Sequence, residues 1–121
     1  MNRKILIVDD SPISRQIIKK CLPKDQPFEI FEAGDGKDGL EQFKKNKPAV
    51  TLLDLTMPVM DGFAALEEIK KVDGNAVVVV LTADIQQKTV DKVMALGALM
   101  VVPKPPSVEA IEEALLKSNL R

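Results

Sequence analysis

The chain has 121 residues, 45% of them hydrophobic and 29% charged, which suits one domain around one core. A net charge of -1 without a dense basic patch argues against nucleic-acid binding. No apolar run is long enough to span a membrane, the opening "MNRKILIVDD" reaches acids too soon for a secretory signal, and the single Cys21 excludes an internal disulfide, so a cytosolic protein is expected.

In chain order, the first predicted strand is Lys4–Val8, and "ILIVDD" runs straight from it into two adjacent carboxylates, Asp9 and Asp10. Ser11 and Pro12 then supply an N-cap and a first-turn proline for a helix with Ile13, Ile17 and Ile18 on one face. Cys21 shares that face and is assigned to packing. A second strand, Phe28–Phe31, ends in Glu32 and Ala33. A helix over Gly36–Lys45 follows, with Leu40 and Phe43 inward. The third strand, Val50–Leu53, ends in Asp54 within "LLDLTMPVMDG". Asp61 caps a helix over Gly62–Lys71, with Phe63, Leu66 and Ile69 inward. The fourth strand, Ala76–Leu81, ends in Thr82 within "VVVVLTAD". A helix over Gln86–Leu96 carries Val90, Val93 and Met94 and stops at Gly97. The fifth strand, Leu99–Val102, leads to Lys104 within "VVPKPP". Ser107 caps a last helix with Val108, Ile111 and Leu115 inward. The Lys pairs at 19–20, 44–45 and 70–71 fall late in their helices, where they complement the helix dipole.

The strands start roughly 22–26 residues apart, which leaves room for a crossover helix between each pair. Runs such as "VVVVL" are apolar at every position, as in a parallel sheet covered on both faces. The reading is an α/β (βα)5 domain. In such sheets ligands bind outside the carboxyl ends of the strands. That edge receives Asp9, Asp10, Asp54, Thr82 and Lys104. Carboxylates about 5 Å apart repel by about 3 kcal/mol at an effective dielectric of 20. A hard divalent cation with oxygen ligands removes that cost, and Mg²⁺ suits a site of carboxylates, a carbonyl and waters. The sequence contains no His, so any chemistry runs on Asp, Lys and hydroxyls.

The acidic pair in "IVDD", the central Asp of "LLDLTMPVMDG", the Thr of "LTAD" and the Lys-Pro of "PKPP" together resemble the receiver domain of two-component response regulators, the CheY-like fold. The match spans residues 1–121 as a single receiver domain. It implies a doubly wound, flavodoxin-like five-stranded parallel sheet in strand order 2-1-3-4-5. It implies that Asp54 accepts a phosphoryl group from a histidine kinase or phosphotransfer protein as an acyl phosphate. Asp10, Asp54 and the backbone carbonyl of Thr56 would then hold Mg²⁺, with Asp9 acting through water. Thr82, helped by the Ala83 N–H, and Lys104 would meet the phosphoryl oxygens. Beyond its own phosphorylation and dephosphorylation, no enzymatic activity is expected, and the signal would leave through helix 4, strand 5 and helix 5 to a protein target.

Some positions depart from the family pattern. Val101 stands where the family often has the Phe or Tyr of a rotamer switch. Pro103 and Pro106 flank the Lys104–Pro105 bond, which the resemblance implies is cis. Thr56 and Asp84 occupy the positions, two beyond the acceptor and two beyond the Thr, that set the family's kinetics. "GDGKDG" at 34–39 matches a dinucleotide-binding pattern but follows the second strand, in a chain too short for a two-half dinucleotide fold, and places acids where phosphates would lie. Glycines for a tight turn explain it. Two alternatives to the switch are an interaction module that is never phosphorylated and a Mg²⁺-dependent phosphatase with an Asp nucleophile. The complete set of acids, Thr and Lys weighs against the first. Thr56, where such a phosphatase needs a second Asp, weighs against the other.

Overall fold

The computed structural model describes residues 2–120. Among these, strands and helices alternate: β1 Lys4–Val8, α1 Pro12–Cys21, β2 Glu29–Ala33, α2 Gly36–Asn46, β3 Val50–Asp54, α3 Gly62–Val72, β4 Val78–Thr82, α4 Gln87–Ala95, β5 Met100–Pro103 and α5 Val108–Lys117. Every strand pairing is parallel, and the order is β2-β1-β3-β4-β5, the doubly wound arrangement expected.

Alternate residues of each central strand serve opposite faces. Leu6, Val8, Leu53, Val78 and Val80 pack with Phe43 of α2, Leu66 and Ile69 of α3 and Val93 of α4. Ile5, Ile7, Leu52, Val79 and Leu81 pack with Ile18 of α1 and Ile111 and Leu115 of α5. Two cores flank one sheet, which is why these strands read as unbroken apolar runs. β2 and β5 are the edges. On β2, Glu29, Ile30 and Glu32 are exposed; β5 ends in Pro103, which has no N–H to offer.

The helix starts follow the sequence. Ser11, Asp35, Asp61 and Ser107 each accept a hydrogen bond from the backbone N–H three residues on. The paired lysines lie in the last turns of α1, α2 and α3. Gly97, just past α4, takes φ +105°, a conformation that disfavours other residues. The Lys104–Pro105 bond is cis. β2 begins at Glu29 and β4 at Val78, one and two residues later than expected.

Three expectations need correction. Ile13 and Ile17 do not face the core: they are 73% and 41% exposed, while Ile18 and Cys21 are buried. The inward face of α1 runs through Ser14, Ile18 and Cys21, because Ser14 turns toward the sheet edge to meet Asp9. Cys21 does serve packing. Its thiol lies 3.6 Å from the Pro106 carbonyl, and burial, reinforced by the charge of Glu109, pushes its pKa up. Val108 is also exposed rather than inward, and of the residues grouped on α4 Val93 is buried while Met94 is exposed. Finally, of the glycines of "GDGKDG" only Gly34 lies in the bend between β2 and α2; Gly36 and Gly39 belong to α2 and serve close packing. A Cβ on Gly36 would lie 1.9 Å from the Met60 carbonyl oxygen, and one on Gly39 would lie 2.8 Å from Val8 Cγ1.

Two stability changes follow from this packing. Thr51, in the centre of β3, is fully buried, and its hydroxyl has no partner among the described residues. Thr51→Val removes an unsatisfied polar group at constant shape and raises unfolding stability by about 1–2 kcal/mol, measured as the shift of the urea midpoint. Gly36→Ala acts oppositely. Its methyl group collides with backbone of the β3–α3 loop, so unfolding stability falls by about 2 kcal/mol or more, read from the same urea titration.

Candidate functional site

Parallel pairing brings the carboxyl ends of β1, β3, β4 and β5 to one edge. Asp9 and Asp10 follow the last residue of β1, Asp54 closes β3 and Thr82 closes β4. Register places Asp54 beside Leu81 and Thr82 beside Pro103. The Lys104 N–H then donates to the Thr82 carbonyl at 3.0 Å, which delivers the lysine side chain to the same edge.

One ligand oxygen each of Asp9, Asp10 and Asp54 lies within 4.8 Å of the others. Asp9 is almost wholly buried and Asp54 is 8% exposed, whereas Asp10 faces solvent. Lys104 Nζ lies 2.6 Å from Asp9 Oδ2 and 3.4 Å from Asp54 Oδ1. Three carboxylates against one ammonium leave two negative charges uncompensated.

The carboxylates are not equivalent. Both oxygens of Asp9 are engaged by the protein: Oδ1 accepts the Ser11 N–H at 2.9 Å, and Oδ2 accepts the Ser14 hydroxyl and the Lys104 ammonium, each at 2.6 Å. Burial pushes the Asp54 carboxyl above its ordinary pKa; the Lys104 charge opposes this, the Asp9 charge adds to it, and the Thr56 N–H favours the ionised form. Burial also disfavours the charged form of Lys104, but its hydrogen bond to Asp9 and the charges of Asp54 and Asp9 outweigh this and raise its pKa. The lysine is thus held as an ammonium.

The donor set fits a hard divalent cation. It offers hard carboxylate oxygens carrying excess negative charge, on a side opened to water by Asp10. These are the preferences of Mg²⁺.

Thr82 is 5% exposed, and its hydroxyl accepts the Asp84 N–H at 3.0 Å. Thr56 is exposed beyond Asp54. Two residues that sequence reading passed over also build the site. Ser14 holds Asp9 directly. The Arg15 guanidinium donates to the Asp9 carbonyl oxygen and to Glu32 Oε1, the latter at 2.9 Å, tying α1 to β2. Both sit one helical turn beyond the acidic pair, on the side of α1 that faces the strand ends. Beside Lys104 lies a groove of about 330 Å³ whose apolar walls include the exposed Ile13 and Ile17 with Pro105 and Pro106.

Comparison with known proteins agrees with this geometry. The chain is 36% identical to the chemotaxis protein CheY of Bacillus subtilis over 118 residues, 98% of either chain. It is 35% identical to sporulation initiation phosphotransferase F of the same organism, covering 98% of this chain and 99% of that one. The crystal structure of a CheX–CheY–BeF3–Mg complex from Borrelia burgdorferi matches with a TM-score of 0.90 at 26% identity, over 98% of this chain and 90% of that one. The model of the response regulator receiver domain matches residues 5–116, and with relatives this similar along nearly their whole length the chain belongs to that family.

Proposed function

We propose that this chain, as a single receiver domain, is a phosphorylation-controlled switch whose phosphoacceptor is Asp54, supplied by a histidine kinase or phosphotransfer protein. The observation that carries the assignment is the place of Asp54: buried at the end of the central strand β3, inside the carboxylate cluster, with Lys104 Nζ 3.4 Å away. Asp10 is exposed, and both oxygens of Asp9 already accept hydrogen bonds from the protein. An Asp54 carboxylate oxygen attacks the phosphorus of the donor, the bond from phosphorus to the donor nitrogen breaks, and its electron pair stays on the imidazole. The product is an acyl phosphate on Asp54.

Phosphoryl transfer asks for positioning and charge neutralisation rather than a strong base. Lys104 supplies a fixed ammonium for one phosphoryl oxygen. Thr82 offers a hydroxyl to another, with the Ala83 N–H beside it. Asp10, Asp54 and the Thr56 carbonyl would hold Mg²⁺, which when bound neutralises the transferring group. Asp9, whose oxygens are occupied by Ser11, Ser14 and Lys104, would reach the ion through water. The groove beside Ile13, Ile17, Pro105 and Pro106 offers the donor protein apolar contact next to the acceptor. Output passes through α4, β5 and α5 to a partner protein. No activity beyond the chain's own phosphorylation and dephosphorylation is required of it.

A small acyl phosphate with Mg²⁺ adds one phosphoryl mass to the wild type and none to Asp54→Asn; intact-mass measurement decides, and an equal gain in the variant refutes the acceptor. Asp10→Asn removes a ligand charge while keeping its shape. Titration calorimetry then gives a Mg²⁺ affinity lower by about tenfold or more, a loss of about 1.4 kcal/mol. An unchanged affinity rules Asp10 out as a ligand.

A further inference from the structure

α1, α2, α3 and α5 are each capped by the side chain of their own N-cap residue, but α4 is not: Gln86 makes no such bond. The start of α4 is held from outside by Asp84. Its Oδ1 accepts the Gln86 N–H at 3.1 Å, and its Oδ2 accepts the Thr89 hydroxyl at 2.8 Å. The backbone N–H of the same Asp84 donates to Thr82 Oγ1 at 3.0 Å. Consecutive hydrogen bonds therefore run from the hydroxyl at the end of β4 to the first turn of α4. Thr82 and Thr89 are 5% and 8% exposed, so their hydroxyls depend on protein partners, whereas Asp84 between them is exposed to solvent.

The rest of α4 is anchored differently. Val93 is fully buried, and Lys92 Nζ lies 4.2 Å from the centroid of the Phe63 ring on α3. Only the first turn of the helix depends on Asp84. The aromatic switch of the family has no ring here, because Val101 is an aliphatic residue packed against the core.

Resting on the assignment of Asp54 as phosphoacceptor, we infer that Asp84 is a positioning residue that converts movement of the Thr82 hydroxyl into release of the first turn of α4. In the unmodified protein the Asp84 N–H holds Thr82 Oγ1 toward the loop. A phosphoryl oxygen on Asp54 draws the Thr82 hydroxyl to itself, and the Asp84 N–H loses its acceptor. The loop then shifts, and the Asp84 carboxylate no longer holds both the Gln86 N–H and the Thr89 hydroxyl. A helix start whose own N-cap side chain makes no bond loses its side-chain support when Asp84 lets go. Ile85, 61% exposed between Asp84 and Gln86, moves with the loop and alters the surface offered to a partner.

The test uses beryllofluoride with Mg²⁺ as the phosphoryl mimic and backbone amide NMR shifts as the readout, on wild type, Asp84→Ala, Thr89→Val and Thr89→Ser. In the wild type, shifts are expected around Asp54 and in residues 86–90. Thr89→Val and Asp84→Ala keep the shifts around Asp54 but lose more than half of those in residues 86–90. Thr89→Ser, which retains the hydroxyl, restores them. A bond that merely supports the helix would lower the melting temperature of the variants and leave the mimic-induced shifts as in wild type, and that result overturns the inference. A wild type showing no response around Asp54 overturns the phosphoacceptor assignment itself, and the role of Asp84 falls with it.

Discussion

The carboxylate of Asp9 is almost wholly removed from water, and the functional edge is organised around satisfying it. A buried charge costs several kcal/mol unless paired and hydrogen-bonded, and removing one partner from such a pair typically costs about 3–5 kcal/mol. Asp9 draws its partners from three places: the Ser11 N–H, the Ser14 hydroxyl of α1 and the Lys104 ammonium that follows β5. These contacts lock the start of α1 and the β5–α5 loop against the end of β1. The same ammonium reaches Asp54, so the pairing that stabilises one acid also sets the charge around the other. The strand β3 places Asp54, and the lysine that satisfies Asp9 sets part of the charge around it.

The loop that follows Asp54 is shaped for a separate reason. A Cβ on Gly62 would lie 2.2 Å from the Asp54 carbonyl oxygen, and the Gly62 N–H donates to the Leu55 carbonyl at 2.9 Å. On the other side Gly36 presses against Met60. Between these clamps Val59 takes φ +71°, an uncommon conformation for a β-branched residue, and is 77% exposed. The β3–α3 loop is thus held in one shape by backbone packing, whereas the β4–α4 loop is held by exchangeable hydrogen bonds. A fixed Asp54 beside a loop held by side-chain hydrogen bonds is the division that the proposed switch requires.

Much of this was legible in the sequence, and the parts that were not share a cause. Helix starts at Ser11, Asp61 and Ser107 could be read because capping depends on a few adjacent residues. Asp9, Asp10, Asp54, Thr82 and Lys104 could be grouped because parallel strands deliver their ends to one edge. Ile13 and Ile17 were misread because helical periodicity places residues on a common face but does not say which face turns inward. That choice belongs to Ser14, through a contact with a strand end that periodicity does not contain. The glycines of α2 were assigned to a turn because their neighbours, Val8 and Met60, are distant in sequence. The bonds from Asp84 to α4 were hidden likewise: the residue stood out only by its place two beyond Thr82, and the missing cap at Gln86 is evident only once the bonds are drawn.

The two edges of the sheet have a further consequence. An edge strand is an open template, and parallel sheets with exposed apolar edges invite a neighbouring molecule to add its own strand. β2 sets Glu29 and Glu32 around its exposed Ile30, so a second β2 laid alongside would bring like charges together. β5 closes on Pro103, which denies an incoming strand a donor. Sheet growth by strand addition is thereby discouraged at both margins.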